Sequence, residues 1–262
     1  MKSADDDMTF GAHLEVLRQM LMRILAVACV FAIVIFCCKD MIWSVLLAPS
    51  HYDFCMYRFL ESVAHAMGFV DFAFQPYNVQ LITTELSSQF MLHVSTAMYL
   101  GLLGASPFIV YELFRFISPA LYESERRYSV PVAIVVYIMF LVGILMTYFL
   151  LFPISFRFLG TYQVSEQVHA TITLDSYIDT FLTLSLLMGF VFQLPVLAFV
   201  LARMHLVTSS MLSRFRKHSF LLILVVSAII TPPDIMTLLL VSVPLYLLYE
   251  VSIQIVRHTE KR

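Results

Sequence analysis

A cluster of charged side chains interrupts a largely apolar chain at residues 118–127, which read SPALYESERR. Glu123 and Glu125 stand there beside Arg126 and Arg127. A carboxylate at the edge of an apolar groove is suited to a cationic guest, and arginine fits best because its planar fork binds both carboxylate oxygens. The alternative is that the arginines only fix the orientation of the chain in a membrane while the glutamates neutralise them in water.

The composition around this cluster is that of an integral membrane protein. Of the 262 residues, 60% are hydrophobic and only 13% are charged. A soluble domain of this size would need more charge to cover its outside. The net charge of −2 argues against a nucleic-acid partner, for which a strongly basic balance is expected.

The uncharged runs predict an all-α protein with six transmembrane helices in one polytopic domain, residues 1–262. A helix needs about 20 apolar residues to cross the hydrocarbon. The last apolar run is broken at Pro232, Pro233 and Asp234, where two prolines favour a turn, so the last two helices are expected to be short. The predicted spans are about 20–38, 87–112, 128–152, 180–202, 218–232 and 235–256, with an outer loop over 39–86.

The distribution of basic residues predicts the orientation. If ends and loops alternate across the membrane, 13 of the 16 Lys and Arg residues fall on the side that holds both termini. The positive-inside rule then places both termini in the cytoplasm. A model with five spans would move the last three basic residues outside and weaken this asymmetry.

Enzymatic and metal chemistry are not expected. The chain has no H-E-x-x-H, no G-x-S-x-G and no glycine-rich phosphate loop. Its four cysteines lack the spacing of metal ligands, so we predict neither a metal site nor a cofactor. A small-solute secondary transporter is the alternative function, although the repeats typical of such proteins are not evident.

Several stretches resemble the TatC family, the core subunit of the twin-arginine protein translocase. SPALYESERR is similar to the first cytoplasmic loop of that family, and other segments agree in order over about residues 8–257: MTFGAHLEVLR, LLAPS, FRFISPALY, ITPPDI and PLYLLYE. The resemblance implies a receptor that binds twin-arginine signal peptides at its cytoplasmic face. With TatA-like and TatB-like single-span subunits, it would move folded proteins across the bacterial cytoplasmic (inner) membrane by the proton-motive force, with several copies in each complex.

The resemblance also implies a set of peptide-binding residues. The recognition carboxylate of the family falls on Glu125. In the N-terminal motif, H-L-x-E-L-R in the family, Val16 occupies the glutamate position and Glu15 stands one place earlier. Because one residue turns a helix by about 100°, we expect Glu15 only to assist. The remaining members of the predicted site are Arg18, Phe116 and Pro119.

A second implied site lies in the fourth predicted span. Family members often carry F-E-x-P there, whereas this chain has Phe192, Gln193, Leu194 and Pro195. We expect Gln193 and Pro195 to contact the transmembrane helix of a partner; the alternative is an amide that is satisfied by a neighbouring helix within the same chain. Glutamine cannot titrate, so any proton coupling by the family's glutamate is absent here or lies elsewhere.

The outer face and one further carboxylate complete the sequence expectations. The outer loop is amphipathic and is expected to cap the outer face, with Pro49 at its start. Glu112, at the inner end of the second span, is expected to extend toward water. The outer-face residues to which we assign structural or functional roles are Pro49, Glu85, Pro232, Pro233 and Asp234.

Overall fold

Helices occupy each of the apolar stretches that the sequence singles out. The computed structural model describes residues 10–68, 79–117, 129–162, 165 and 171–260. Two-residue strands, β1 (Leu81–Ile82) and β2 (Ile172–Thr173), pair in parallel. The helices are α1 (Phe10–Cys37), α2 (Lys39–Leu47), α3 (Cys55–Ala66), α4 (Ser88–Ile117), α5 (Ser129–Met146), α6 (Phe152–Thr161), α7 (Leu174–Val191), α8 (Leu194–Arg203), α9 (Ser209–Arg214), α10 (Arg216–Ile230) and α11 (Ile235–Glu260).

Five helical stretches of the described chain are long and apolar enough to cross a membrane. They are Leu14–Cys37, Ser88–Leu113, Pro131–Thr161, Leu174–Arg203 and Ile235–Glu260. The number of crossings and their orientation stay predictions.

The expectation of two short final helices holds for one of them. Helix α10 has 15 residues, below the usual length of a span. Helix α11 has 26, so the expectation is wrong for it. The helix continues beyond its apolar run, and the carboxylate of its last residue, Glu260, accepts hydrogen bonds from the backbone N–H and the hydroxyl of Ser209.

Prolines account for two interruptions of long helices. Pro153 has no N–H to donate, and the turn before it, Thr147–Leu151, widens into a π-helix in which the N–H of Phe152 donates to the carbonyl of Thr147. Pro195 stands at the start of α8 and separates that helix from α7. Neither break ends the apolar stretch, since Pro131–Thr161 and Leu174–Arg203 are each long and apolar enough to cross a membrane.

The chain forms two compact units: Met1–Lys39 with His93–Tyr137, and Asp40–Leu92 with Ile138–Arg262. In the first unit, α1 runs antiparallel to α4. Near one end Arg23 lies beside Glu112, and near the other the rings of Phe36 and His93 stack with centroids 4.1 Å apart. This pairing brings the N-terminal part of α1 to the C-terminal end of α4.

Two glycines of α4 allow this close approach. A Cβ atom added at Gly101 would lie 2.7 Å from both the Cβ and the backbone nitrogen of Ala32. One added at Gly104 would lie 2.8 Å from the ring of Phe31. Small residues at such crossings let helix backbones pack directly in membranes. The close packing of α1 on α4 therefore requires glycine at positions 101 and 104, because a side chain at either position would push the two helices apart.

The second unit is organised by tyrosine hydroxyls that donate to main-chain carbonyls. Tyr57 donates to Pro153 over 2.8 Å, and both Tyr57 and Tyr177 are buried. Tyr148 donates to the carbonyl of Val45 and Tyr177 to that of Leu46, each over 2.8 Å. These bonds tie residues 39–66, part of the predicted outer loop, to α6, α7 and the π-helix between α5 and α6.

That predicted loop contains more helix than the sequence indicates. Helix α2 precedes Pro49, which lies in a short 3₁₀ turn (Ala48–Ser50), so the ordered cap begins before the proline expected to start it. In α3 the expected amphipathic pattern is present, with Tyr57 and Ala64 buried. The cap thus has an apolar face on the rest of its unit.

Candidate functional site

The described part of the predicted peptide site lies at the N-terminal end of α1 and the C-terminal end of α4. Glu15 and Arg18 are on α1, and Phe116 is half-buried in the last turn of α4. Glu125 and Pro119 lie outside the described residues. The structure thus brings Glu15 and Arg18 together, and the roles of all five residues stay predictions.

Glu15 presents an accessible carboxylate. Its side chain is 55% exposed; one oxygen lies 3.6 Å from Nη1 of Arg18 and the other accepts a hydrogen bond of 3.3 Å from Nε2 of Gln19. Arg18 is itself 77% exposed. A surface pair of this kind contributes only about 0–1 kcal/mol, so it presents little competition to an incoming cation.

Glu112 is the functional candidate that sequence reasoning missed. Its side chain is only 6% exposed, so the expectation that it extends to water is wrong. One carboxylate oxygen lies 3.6 Å from Nη1 of Arg23 on α1, and the other lies 3.7 Å from Nη1 of Arg115 on α4. Two cations offset the cost of burying this charge, which would be large for an unpaired carboxylate.

A weak signal for Glu112 was present in the sequence. Glu112 and Arg115 are three residues apart and share a helix face. Arg23 is the last charged residue before the apolar run of the first predicted span, at a depth similar to that of Glu112 in the second predicted span. Only the pairing of α1 with α4 shows that these three charges meet.

Gln193 lies at the break between α7 and α8, where its side chain bonds to the backbone of α7. The N–H of Gln193 donates to the carbonyl of Phe190 in a tight turn, and its side-chain amide donates to the carbonyl of Gly189 over 3.2 Å. Gln193 is half-buried and Pro195 is buried. This bond reaches only the last turn of α7, four residues back, so the alternative of a neighbouring helix in the same chain and the contact with a partner helix both stay predictions.

The turn between α10 and α11 is held by Asp234. Its Oδ1 accepts a hydrogen bond of 2.6 Å from the N–H of Thr237, which caps the start of α11. Its own N–H donates to the carbonyl of Pro232 over 2.7 Å, while Pro233 is exposed. Oδ2 of Asp234 is buried and has no hydrogen-bond partner among the described residues.

The other two residues predicted to lie at the outer face, Pro49 and Glu85, differ in environment. Pro49 is buried, and its carbonyl lies 3.4 Å from the hydroxyl of Tyr57. Glu85 is exposed, and its backbone carbonyl accepts a hydrogen bond of 3.3 Å from the N–H of Ser88. Pro49 therefore contributes to the packing of its unit, whereas the side chain of Glu85 is exposed.

Metal binding finds no support in the part of the chain that the structure describes. Its histidines, cysteines and carboxylates form no group of three or more that could hold a metal ion. The four cysteines, Cys29, Cys37, Cys38 and Cys55, are free and exposed.

Comparison with known proteins gives consistent matches over most of the chain. The family model for Sec-independent protein translocase protein (TatC) matches residues 12–244. TatC of Blattabacterium sp. subsp. Periplaneta americana is 31% identical, with 100% of both chains covered. TatC of Desulforapulum autotrophicum is 31% identical over 97% of this chain and 86% of its own.

The fold agrees with a solved structure as well. A crystal structure of the twin-arginine translocase receptor TatC matches with a TM-score of 0.72 and 27% identity, covering 95% of this chain and 99% of that chain. The resemblance identified from the sequence is confirmed. The protein is a membrane protein with several apolar helices, and its relatives are translocase components rather than enzymes. The chain belongs to the TatC family of Sec-independent protein translocase proteins.

Proposed function

We propose that this chain is the receptor and core component of a twin-arginine translocase. It binds twin-arginine signal peptides at its cytoplasmic face and, with small single-span subunits, moves folded proteins across the bacterial cytoplasmic (inner) membrane by the proton-motive force. The observation that carries the proposal is the match, over 95% of the chain, to a protein described as the twin-arginine translocase receptor.

Peptide recognition is assigned to Glu125, with Glu15 assisting. The exposure of the Glu15 carboxylate and its weak contacts with Arg18 and Gln19 support a role in binding an incoming guanidinium group. Phe116 and Pro119 would supply apolar contact for the rest of the peptide beside these charges. Specificity over lysine would come from the planar fork of arginine, which can bind both oxygens of a carboxylate.

The strength of such a site is sufficient for a receptor. One exposed ion pair contributes about 0–1 kcal/mol, which is far too little by itself. Two charge-assisted pairs at a partly dry edge, together with an apolar peptide segment in a groove, can reach about 8 kcal/mol, which corresponds to micromolar binding.

Partner subunits are proposed to be TatA-like and TatB-like, and several copies of the chain are expected in each complex. Gln193 and Pro195 mark the proposed contact with a partner helix. Hydrogen bonds between helices in membranes contribute about 0.6–2 kcal/mol. The Gln193 amide lies at a proline break, where a helix has lost one backbone hydrogen bond and a polar side chain can serve both chains.

Export of a folded reporter tests the proposal. We expect deletion of the gene to retain a folded, twin-arginine-tagged fluorescent protein in the cytoplasm, and the intact gene to restore export. Export that continues without the gene, together with loss of uptake of a small solute, would favour the alternative of a secondary transporter.

Peptide crosslinking tests the recognition carboxylate. We expect Glu125→Gln to abolish photocrosslinking of a twin-arginine peptide to the chain, because the neutral amide loses the charge that attracts the guanidinium. Glu123→Gln is the matched control, since it removes the same charge two residues away and should leave crosslinking intact. Equal crosslinking by both variants would refute the assignment of Glu125.

A further inference from the structure

The ion pairs of Glu112 are unlike those of a rigid structural pair. Its carboxylate is almost fully buried, yet Nη1 of Arg23 and Nη1 of Arg115 stay 3.6 and 3.7 Å away. Hydrogen bonds between guanidinium and carboxylate groups are about 2.7–2.9 Å long. The pair of Arg216 and Glu250 in the other unit meets this criterion at 2.8 Å. Glu112 is therefore neutralised by two cations without a close hydrogen bond to either.

The two arginines approach Glu112 independently. Arg23 comes from α1 and faces Oε2, whereas Arg115 comes from α4 and faces Oε1. Their side chains are 48% and 60% exposed, so either can turn outward, away from Glu112, while the other continues to balance the buried charge. A third guanidinium group can then take the vacated oxygen with no change in net charge at the carboxylate.

We propose that Glu112 is a further guanidinium-binding carboxylate of the peptide site, beside Glu125 and Glu15, and that Arg23 and Arg115 occupy it until a signal peptide arrives. The inference rests on the proposed function, because the incoming group is an arginine of the twin-arginine segment. The peptide guanidinium replaces one resident arginine and forms the close, forked pair that the residents do not form. Lysine has no such fork and gains less from the exchange.

Opposite effects of the two partners distinguish this exchange from a structural lock. The full-length chain in nanodiscs would be titrated with a fluorescent peptide carrying paired arginines, and with the same peptide carrying paired lysines, by fluorescence anisotropy. We expect Glu112→Gln to weaken arginine-peptide binding about tenfold and to reduce the preference over lysine. We expect Arg23→Gln and Arg115→Gln to tighten binding several-fold, because each removes a competitor.

A lock between α1 and α4 predicts a different pattern. In that case Glu112→Gln and Arg23→Gln break the same contact and both weaken binding, and this result would overturn the inference. Unchanged binding by Glu112→Gln would overturn it as well. If Arg23→Gln does not fold, Arg23→Lys keeps the charge but removes the fork, and we expect it to tighten binding as well; weaker binding would count against exchange.

Two further measurements complete the test. Arg216→Gln is the matched control, since this arginine is 46% exposed and pairs with Glu250; we expect it to leave the peptide affinity unchanged. The unmodified chain tests the proposed function separately. Failure to prefer the arginine peptide over the lysine peptide would count against the receptor role itself, whereas a normal preference that is insensitive to Glu112 would reject only the exchange.

Discussion

The packing of α1 on α4 can be tested at Gly101, where the structure leaves no space for a side chain. In Gly101→Ala the new Cβ atom would lie 2.7 Å from the Cβ and the backbone nitrogen of Ala32. Carbon atoms pack best at about 3.5–4.0 Å, so the two helices must separate locally by about 1 Å. The atoms that block the new methyl group include backbone, which cannot turn aside as a side chain would.

The size of the effect follows from two opposing contributions. Overpacking of a well-packed contact costs about 1–3 kcal/mol. Alanine gains up to about 1 kcal/mol over glycine in helix propensity, which offsets part of that cost. Gly11→Ala, in the partner helix α1, is the control, because a Cβ atom there meets nothing within 4 Å. We expect the free energies of unfolding of the two variants to differ by about 1–3 kcal/mol, with Gly101→Ala the less stable.

The assay is reversible unfolding in mixed micelles by titration with SDS, followed by the loss of helical circular dichroism. The peptide affinity of Gly101→Ala, measured in parallel, would report whether displacing α1 disturbs the proposed peptide site at the N-terminal end of that helix. Equal free energies of unfolding for Gly101→Ala and Gly11→Ala would refute the close contact between α1 and α4 at this position.

Three further predictions concern the second unit. Tyr177→Phe removes the buried hydroxyl that donates to the carbonyl of Leu46, and we expect a loss of about 1–3 kcal/mol in the same unfolding assay; an unchanged value would mean that water replaces the bond. Asp234→Ala removes the cap on the N–H of Thr237 and should cost about 0.5–2 kcal/mol, whereas Asp234→Asn keeps an acceptor and should lower the thermal midpoint less; equal midpoints would argue against capping. Gln193→Leu should weaken copurification of a single-span partner in detergent while leaving peptide binding intact; unchanged copurification would reject the partner contact.

The helical architecture was predictable because hydropathy and proline act locally. Uncharged runs give helices wherever backbone groups must satisfy one another. The breaks at Pro153 and Pro195 were not predicted, and the missing N–H of proline is not enough to specify them, since Pro107 and Pro244 lie inside unbroken helices. The start of α1 at Phe10, well before the predicted span, was not evident from hydropathy. Polar residues such as Glu15 and Arg18 end an apolar run but do not end a helix, since both have good helix propensity.

The candidate site was predictable only in part. The accessible carboxylate of Glu15 follows from its place outside the apolar run. The burial of Glu112 depends on Arg23, which is distant in sequence and reaches the carboxylate only because α1 and α4 pack as an antiparallel pair. Such a contact depends on the close crossing at Gly101 and Gly104, and no local pattern in either helix specifies it.

The direction of the tyrosine hydrogen bonds has a consequence for how the segment of α2 and α3 can evolve. Tyr148 and Tyr177 donate to peptide carbonyls at positions 45 and 46, and every amino acid carries that acceptor. A substitution at Val45 or Leu46 therefore keeps the hydrogen-bond acceptor, whereas Tyr148→Phe or Tyr177→Phe removes the donor and the hydrogen bond with it. A saturation mutagenesis screen should find asymmetric tolerance, with many alleles accepted at Val45 and few at the tyrosines.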